Sequence, residues 1–548
     1  MRFKNIFIPV FILFSIYIQA QTNNEGQLHG NFQVDMQTYK EDSLISAPKI
    51  PEKMLLNAYA NLTYSKGNFT AGIRYEAYMN TLSGYDSRYN GNGIPYRFLT
   101  YKADELEVTA GSFYDQFGNG LILRAYEEKG LGYDNAFDGV RVKYQIYKGV
   151  SVKGLVGKQR FFFDKGPGIV RGVDGEINAN ELLKFMSESK TQIILGGSFV
   201  SKYQADKDPL YKLPENVGAW AARMNITRGA INFNTEYAYK INDPSADNLY
   251  IYKPGEALLI STSFSKKGFG VLLNAKRVDN MAFRSNRNAG LIDLNINYLP
   301  ILTKSYTYSF LNFYPYATQS NGEMGGGAEV MYKFKKSTLL GGKYGTNISI
   351  NFSRLNSLDK TAPSDTSVIG ISGTLGYQSD FFTPGDELYF QDFNIEINKK
   401  FSKRFSGNFI YQNLIYNSDA LRKDHKQTYV FGNTGIADML YKINDKNAIH
   451  IELGALFTKQ DMGNWIMLQA EYSIAPKWFF SLSDQYNYGN EDKELRLHYY
   501  TAALAYAKGG NRIQIGYGRQ RQGIMCVGGV CRSVPASNGF ILALSSSF

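Results

Sequence analysis

Beyond its first twenty residues the sequence has no apolar run approaching the twenty that a membrane-crossing helix needs, which excludes an α-helical membrane protein. Apolar residues are not rare, at 44%, but mean hydropathy is only −0.31, so they are dispersed rather than clustered. Cysteine is scarce: two residues, both in "CVGGVC" (526–531), with no His or further Cys beside them to complete a metal set. The four histidines, His29, His425, His450 and His498, are scattered. No HExxH, GxSxG, P-loop or CxxC motif occurs, and Asp424-His425 in a polar stretch is the nearest approach to a hydrolytic pair. The residues therefore recommend no catalysis, cofactor or metal. Nucleic acid is disfavoured as well, because 60 Lys and Arg against 49 Asp and Glu are spread along the chain without a basic-aromatic module.

What the sequence does have begins at its start. Arg2 and Lys4 precede an apolar run over 6–18, and Ala20 meets Gln21, the pattern of a secretory signal peptide over residues 1–20. No cysteine follows that run, which disfavours an acylated lipoprotein. The remainder, 21–548, reads as one unit. In an oxidising compartment Cys526 and Cys531 are expected to form a disulfide.

Aromatics make up 15% of the chain and glycine contributes 53 residues, a composition for strands and turns. Alternation at period two runs through the whole sequence. In "LHGNFQVDMQT", Leu28, Phe32, Val34 and Met36 share one face, while His29, Asn31, Gln33 and Asp35 share the other. "NAIHIELGALFT", "WIMLQAEYSI" and "GAINFNTEYAYK" repeat the scheme. Many such strands run to ten or more residues, longer than those of soluble sandwiches and long enough to cross a hydrocarbon core at a tilt. Tight turns at 65–68, 102–104, 147–149, 227–229, 265–268, 335–337, 444–446, 475–477 and 508–511 alternate with long polar loops such as 79–96, 114–137, 202–216 and 417–426. The reading is an all-β fold: one large transmembrane antiparallel barrel of about 26 strands, within 22–30, its apolar face against outer-membrane lipid. "GIVRGVDGEINANEL" (168–182) serves as a strand in this count, with 184–190 as its turn, and 300–316 and 357–386 are its least regular parts. His29, His450 and His498 read as lumen residues. Asp484 falls in phase with Phe480 and Leu482, which places it at the extracellular rim or beside a bulge.

The last stretch, "SNGFILALSSSF", puts Phe540, Leu542, Leu544 and Phe548 in phase. An uncharged edge strand of this kind invites pairing, so it is expected to close the barrel against the first strand. The same four residues are expected to be the signal read by the barrel-assembly machinery.

Three stretches depart from the alternation. "FYDQFGNGLILRAYEEKGLGYDN" (113–135) combines aromatics, glycines and mixed charge, so Arg124, Glu127, Glu128 and Lys129 become candidates for a lumen constriction, with an ordered external loop as the alternative. Arg124 is expected to pair with Glu127, Glu128 or the wall carboxylates Glu76 and Glu105. "NFYPYATQSNGEMGGG" (312–327) and "CVGGVCRSVPASNG" (526–539) are shaped loops. Together these stretches resemble a widespread family of outer-membrane barrels from Bacteroidota, catalogued as a domain of unknown function. The resemblance implies location and architecture and a tilt toward surface-protein export and assembly; it brings no mapped binding residues.

Width then separates two functions. A barrel of this size left empty would breach the envelope, and strand pattern begins near Leu28, with no plug domain expected ahead of it. The expectation is a non-enzymatic accessory or scaffold subunit of envelope protein export or assembly, closed by its own loops or by an envelope protein partner. The alternative is a porin-like passive channel for small solutes.

Overall fold

The computed structural model describes residues 26–423, 428–527 and 530–548. Among them, 24 antiparallel strands form one sheet, from Gln27–Gln37 to Ser537–Ser547, each bonded to its neighbours in sequence. The first and last strands pair antiparallel, from Asn31 opposite Ser547 to Gln37 opposite Ile541, so the sheet closes on itself. The count lies within the expected range but is two below the central figure. Residues 300–316, read as an irregular part of the wall, belong to no wall strand, and 362–377 joins Thr346–Thr361 to Gln378–Lys400 as a loop. The strand expected over 168–182 is present but runs Asp164–Asn178, and its last four expected residues, Ala179–Leu182, form a helical turn. The signal-peptide residues 1–20 and the pair Asp424-His425 lie outside the described residues.

Strand lengths follow from the need to cross a hydrocarbon layer at a tilt, and the faces follow from period two. On Phe137–Tyr147, Val140, Tyr144 and Ile146 point outward and are exposed, while Arg141 points inward to Glu107. On Asn447–Phe457, Leu453 and Phe457 point outward and are exposed, while Glu452 is buried on the inner side. Aromatic pairs ring the outer face at the short-turn end: Phe69 with Tyr101 at 5.0 Å and Trp478 with Tyr506 at 4.6 Å. An apolar exterior with an aromatic girdle is what lipid selects. No helix among the described residues is long and apolar enough to cross a membrane. The crossing is made by strands, and the molecule is an outer-membrane type of β-barrel.

Both ends of the sheet's chain lie on the short-turn side, and the two longest connections, 114–136 and 280–322, leave from the opposite rim. On the short-turn side 179–190 is a long connection, and the tight turn expected at 335–337 is instead the longer connection 335–345. Irregularities in the wall have local causes. Pro95, which has no N–H to give, sits where the register of Phe69–Met79 against Gly91–Ala103 slips, between Arg74 and Glu76. A second slip, between Lys165 and Ile169, carries Gly166, Pro167 and Gly168. A Cβ on residue 168 would collide with the carbonyl of Ser285, so glycine there lets an interior segment come hard against the wall.

Asp484 lies two residues from the long-loop end of Trp478–Tyr486 with no register slip beside it. His498 corrects an expectation. It faces outward rather than into the lumen, with its Nδ1 2.7 Å from Asp484 and its ring stacked on Tyr486 at 4.1 Å. The pairing gives this carboxylate, which stands in an apolar phase, a partner at the rim. His450 does face the lumen, where its Nε2 is bonded to Asp438.

Candidate functional site: the filled lumen

Two segments leave the long-loop rim and fold down inside the barrel. The first, 114–136, connects Leu106–Phe113 to Phe137–Tyr147; the second, 280–322, connects Phe269–Asp279 to Glu323–Phe334. The first is built on an apolar knot. Phe117, Leu121, Ile122 and Leu123 are fully buried, against Val170, Val200, Val217 and Ala219 of the wall. Those wall residues point inward and are small, which leaves room for the knot. Gly118 makes its turn with φ +51, and a side chain there would strike the Glu236 carboxylate. Glu236 instead accepts the Asn119 backbone N–H at 2.6 Å and its side-chain amide at 2.8 Å. Glu236 lies midway along Ile231–Lys240, so the segment reaches mid-barrel.

The second segment continues across. Its Phe310, Phe313, Tyr314 and Tyr316 pack with Leu355, Phe390, Tyr416 and Trp465 of the far wall. Phe313 meets Trp465 at 5.3 Å between ring centroids. Lower down, Tyr306 donates to Asp392 and Tyr308 to Asp438, each at 2.6 Å. Burial, then the Asp392 carboxylate, pushes the Tyr306 phenol up, so it is a neutral donor. Lys304 bridges Glu329 at 3.3 Å and Glu396 at 3.2 Å near the short-turn end. The two segments hold each other through the backbone: Arg124 N–H donates to Ile296 at 2.8 Å and Tyr298 N–H to Gly120 at 2.9 Å.

The four candidate residues are placed together but not as expected. Arg124 has no ion pair among the described residues; its guanidinium lies between the rings of Tyr126 (4.4 Å) and Tyr298 (4.0 Å). The physical reason is access. Glu127 is taken by Arg74 at 2.9 Å, Glu128 accepts from the Gly130 N–H at 3.2 Å, and Glu76 is held by Arg74 at 2.7 Å and Arg160 at 2.6 Å. Glu105 sits in a short turn at the opposite end of the barrel. Lys129 lies over the Tyr59 ring at 4.6 Å. Burial raises the Glu127 carboxyl in spite of Arg74.

Sequence reasoning named Glu76 and Glu127 but missed the other members of their network, Arg74, Arg160 and Asp134. Arg74, Glu76 and Arg160 from the wall and Glu127 and Asp134 from the first segment form one buried ion network, with Asp134 bonded to both arginines. Stacked tyrosines line it, Tyr96 on Tyr114 at 5.2 Å and Tyr78 on Tyr89 at 4.8 Å. A readable sign was the strand "NVGAWAARMNI" (216–226), apolar on both faces, because a wall facing water on the inside would alternate.

The third singular stretch caps the first. Cys526 and Cys531 are disulfide-bonded, directly opposite each other in a hairpin of Gly523–Val527 and Val530–Val534. From that hairpin Arg532 donates to the Gly130 carbonyl at 2.9 Å and lies over the Tyr85 ring at 4.3 Å. At its base Arg521 stacks on Phe313 at 3.8 Å. Burial pushes the Arg521 guanidinium down to about 10, which leaves it a cation at neutral pH. All three stretches that stood apart in the sequence thus meet in or over the lumen. Among the described residues no group of three or more His, Cys, Asp or Glu is arranged to hold a metal ion.

No curated protein matches the chain. Among solved structures it is similar to the P pilus usher translocation pore, at 9% identity over 95% of this chain and 99% of that one, with TM-score 0.46. It is similar to the siderophore receptor PirA from Pseudomonas aeruginosa, at 9% identity over 95% of this chain and 80% of that one, with TM-score 0.39. The outer membrane protein opdK from the same organism gives 7% identity over 96% and 98%, with TM-score 0.35. These likenesses are of the barrel alone. A family model matches residues 3–548, and the chain belongs to that family, DUF6029, a family of unknown function.

Proposed function

We propose that this protein is a non-enzymatic outer-membrane barrel serving as an accessory or scaffold subunit in envelope protein export or assembly, with a lumen closed by its own two inserts. The observation that carries the reading is the filling of the lumen. The fully buried Phe117, Leu121, Ile122 and Leu123 lie against one wall, and Phe310 and Phe313 lie against Trp465 and Tyr416 of the other. A passive pore needs a wetted path, whereas dry packing of this kind makes a wide, stiff platform. Export through a cleaved 1–20 signal, assembly through Phe540, Leu542, Leu544 and Phe548, envelope protein partners and a Bacteroidota source belong to the same proposal. The porin-like alternative draws on a recess of about 460 Å³ at the short-turn end, whose lining includes the charged Lys304, Glu329 and Glu396.

Purification in gentle detergent and planar-bilayer recording separate the two. The scaffold reading expects stoichiometric co-purifying envelope proteins and a silent intact barrel, with conductance appearing when 114–136 is replaced by a short linker. A solitary barrel that conducts steadily with both inserts present overturns it in favour of the porin.

A further inference from the structure

The outer wall carries a cluster of cations that breaks its apolar rule. Across neighbouring strands, Arg97, Lys158, Lys165 and Arg171 all point outward and are exposed, with Asp138 as the carboxylate among them. Lys165 reaches Asp138 at 2.6 Å and Arg97 reaches it at 3.6 Å. Lys158 is the register partner of Asp138, and Arg171 is that of Val156, two positions along from Lys158. Below them the same face is apolar and exposed, through Val140, Tyr144, Val156, Val173 and Ile177.

Depth decides what four cations meet there. Asp138 stands next to the long-loop end of an 11-residue strand. At ~3.3 Å per residue and a tilt near 40°, that is roughly 23 Å above the strand's short-turn end, the upper edge of an apolar band about 25 Å tall. A cation in the middle of the band would be expelled; at its edge it meets headgroups. One carboxylate does not neutralise four cations, and a neutral headgroup gives the remainder no partner.

A second observation lies alongside. Arg97 is also part of the lining of an outward groove of about 550 Å³, whose other walls include Leu28, Leu62, Tyr64 and Ile73. An apolar groove that runs up the wall to an exposed guanidinium has the two halves of a lipid site, one for an acyl chain and one for its charge.

We propose that this face binds a phosphorylated lipid of the outer leaflet. An acyl chain lies in the groove beside Ile73, and anionic phosphate is held by Arg97, Lys158, Lys165 and Arg171. Asp138 sets the spacing of Arg97 and Lys165 and leaves each guanidinium and ammonium with donors free for phosphate oxygens. The site is on the lipid side of the wall, so it stands independently of whether the lumen conducts.

The test uses the full chain in nanodiscs of phosphatidylcholine doped with diphosphorylated lipid A, with retained lipid counted by native mass spectrometry. The combined variant Arg97→Gln, Lys158→Gln, Lys165→Gln, Arg171→Gln should retain at least about tenfold less of the doped lipid, given the strength of cation attraction at an anionic surface. Arg354→Gln, an outward cation on a distant strand, should change nothing. Lipid A stripped of its phosphates should be retained by neither protein, and inorganic phosphate alone should not displace the lipid. Should the combined variant assemble poorly, Lys158→Glu alone, exposed and on the outside, should still lower retention severalfold. Equal retention by wild type and variant, or equal retention of the phosphate-free lipid, overturns the proposal, as does wild-type protein that carries off no lipid.

Discussion

Phe548 lays its ring over Gly30 across the closing seam of the barrel. The two residues exchange backbone hydrogen bonds, Gly30 N–H to Phe548 at 3.0 Å and Phe548 N–H to Gly30 at 2.9 Å, and a Cβ on residue 30 would collide with the ring. The contact explains why an apolar, uncharged strand is tolerated at this end of the sheet: its edge is used. It also makes a prediction with its own control. Gly30→Val should weaken the seam by roughly 1–3 kcal/mol through overpacking. Adding Phe548→Ala should return part of that loss. The heat-modifiable band on unheated gels, followed against temperature, reads both. Equal melting of wild type and Gly30→Val would remove the seam from the account of closure.

The disulfide should matter locally. The loop it closes is short, so the chain-entropy gain is small, and its hairpin touches the barrel through Arg532 and the insert carbonyl of Gly130. Replacing both Cys526 and Cys531 by Ser is expected to leave the barrel's melting temperature unchanged and to raise protease sensitivity within 521–536. Loss of the folded barrel in that variant would mean the hairpin is needed for assembly rather than for its own rigidity.

Asp484 and His498 form a pair on a lipid-side phase. His498→Leu should leave the Asp484 carboxylate without its partner and lower stability by about 1 kcal/mol, a modest sum because both residues are at the exposed rim. Asp484→Leu combined with His498→Leu should be no worse than wild type. A double-mutant cycle on urea unfolding in detergent gives the coupling, and a cycle that sums to zero would make the pairing incidental.

How much of this could be read without coordinates depends on which side of the wall is asked about. The outside was legible because period two and lipid leave little freedom: Leu28, Phe32 and Val34 on one strand and Leu453 and Phe457 on another follow a single rule. Closure was legible in Phe540 to Phe548 for the same reason. The inside was not. Phe313 finds Trp465, and Asn119 finds Glu236, across sequence separations that no local pattern encodes. The segment 280–322 carries isoleucine, leucine and tyrosine at irregular spacing, which neither a strand nor a helix template recognises. Arg124 shows the remaining gap. Its charge suggested a carboxylate, but two tyrosines brought close by backbone bonds between the inserts reach it first. His498 fell on the wrong face because a polar residue in a strand was assigned inward, and a rim pair reverses that assignment.

The network around Arg160 separates a latch from mere filling. Arg160 donates to Glu76 at 2.6 Å and 2.8 Å and to Asp134 at 2.6 Å, and Arg74 binds the same two carboxylates and Glu127. Arg74, Glu76 and Arg160 belong to the wall, Glu127 and Asp134 to the insert, so the arginines join one to the other. Arg160→Met keeps the length and removes the charge, which leaves Glu76 and Asp134 sharing Arg74 alone. In a dry protein core such a loss costs about 3–5 kcal/mol. Here it should cost less in global stability, since water can follow the released insert and solvate the stranded carboxylates. What changes is the insert. Amide exchange over 126–135 should quicken by at least tenfold, while exchange in the apolar knot 117–123 should stay slow. Brief conductance bursts should appear in an otherwise silent barrel. Arg124→Met, which loses only stacking worth about 1 kcal/mol, should produce neither effect. If Arg160→Met leaves exchange over 126–135 unaltered, the ion network is a passive filling and the apolar knot alone holds the insert in place.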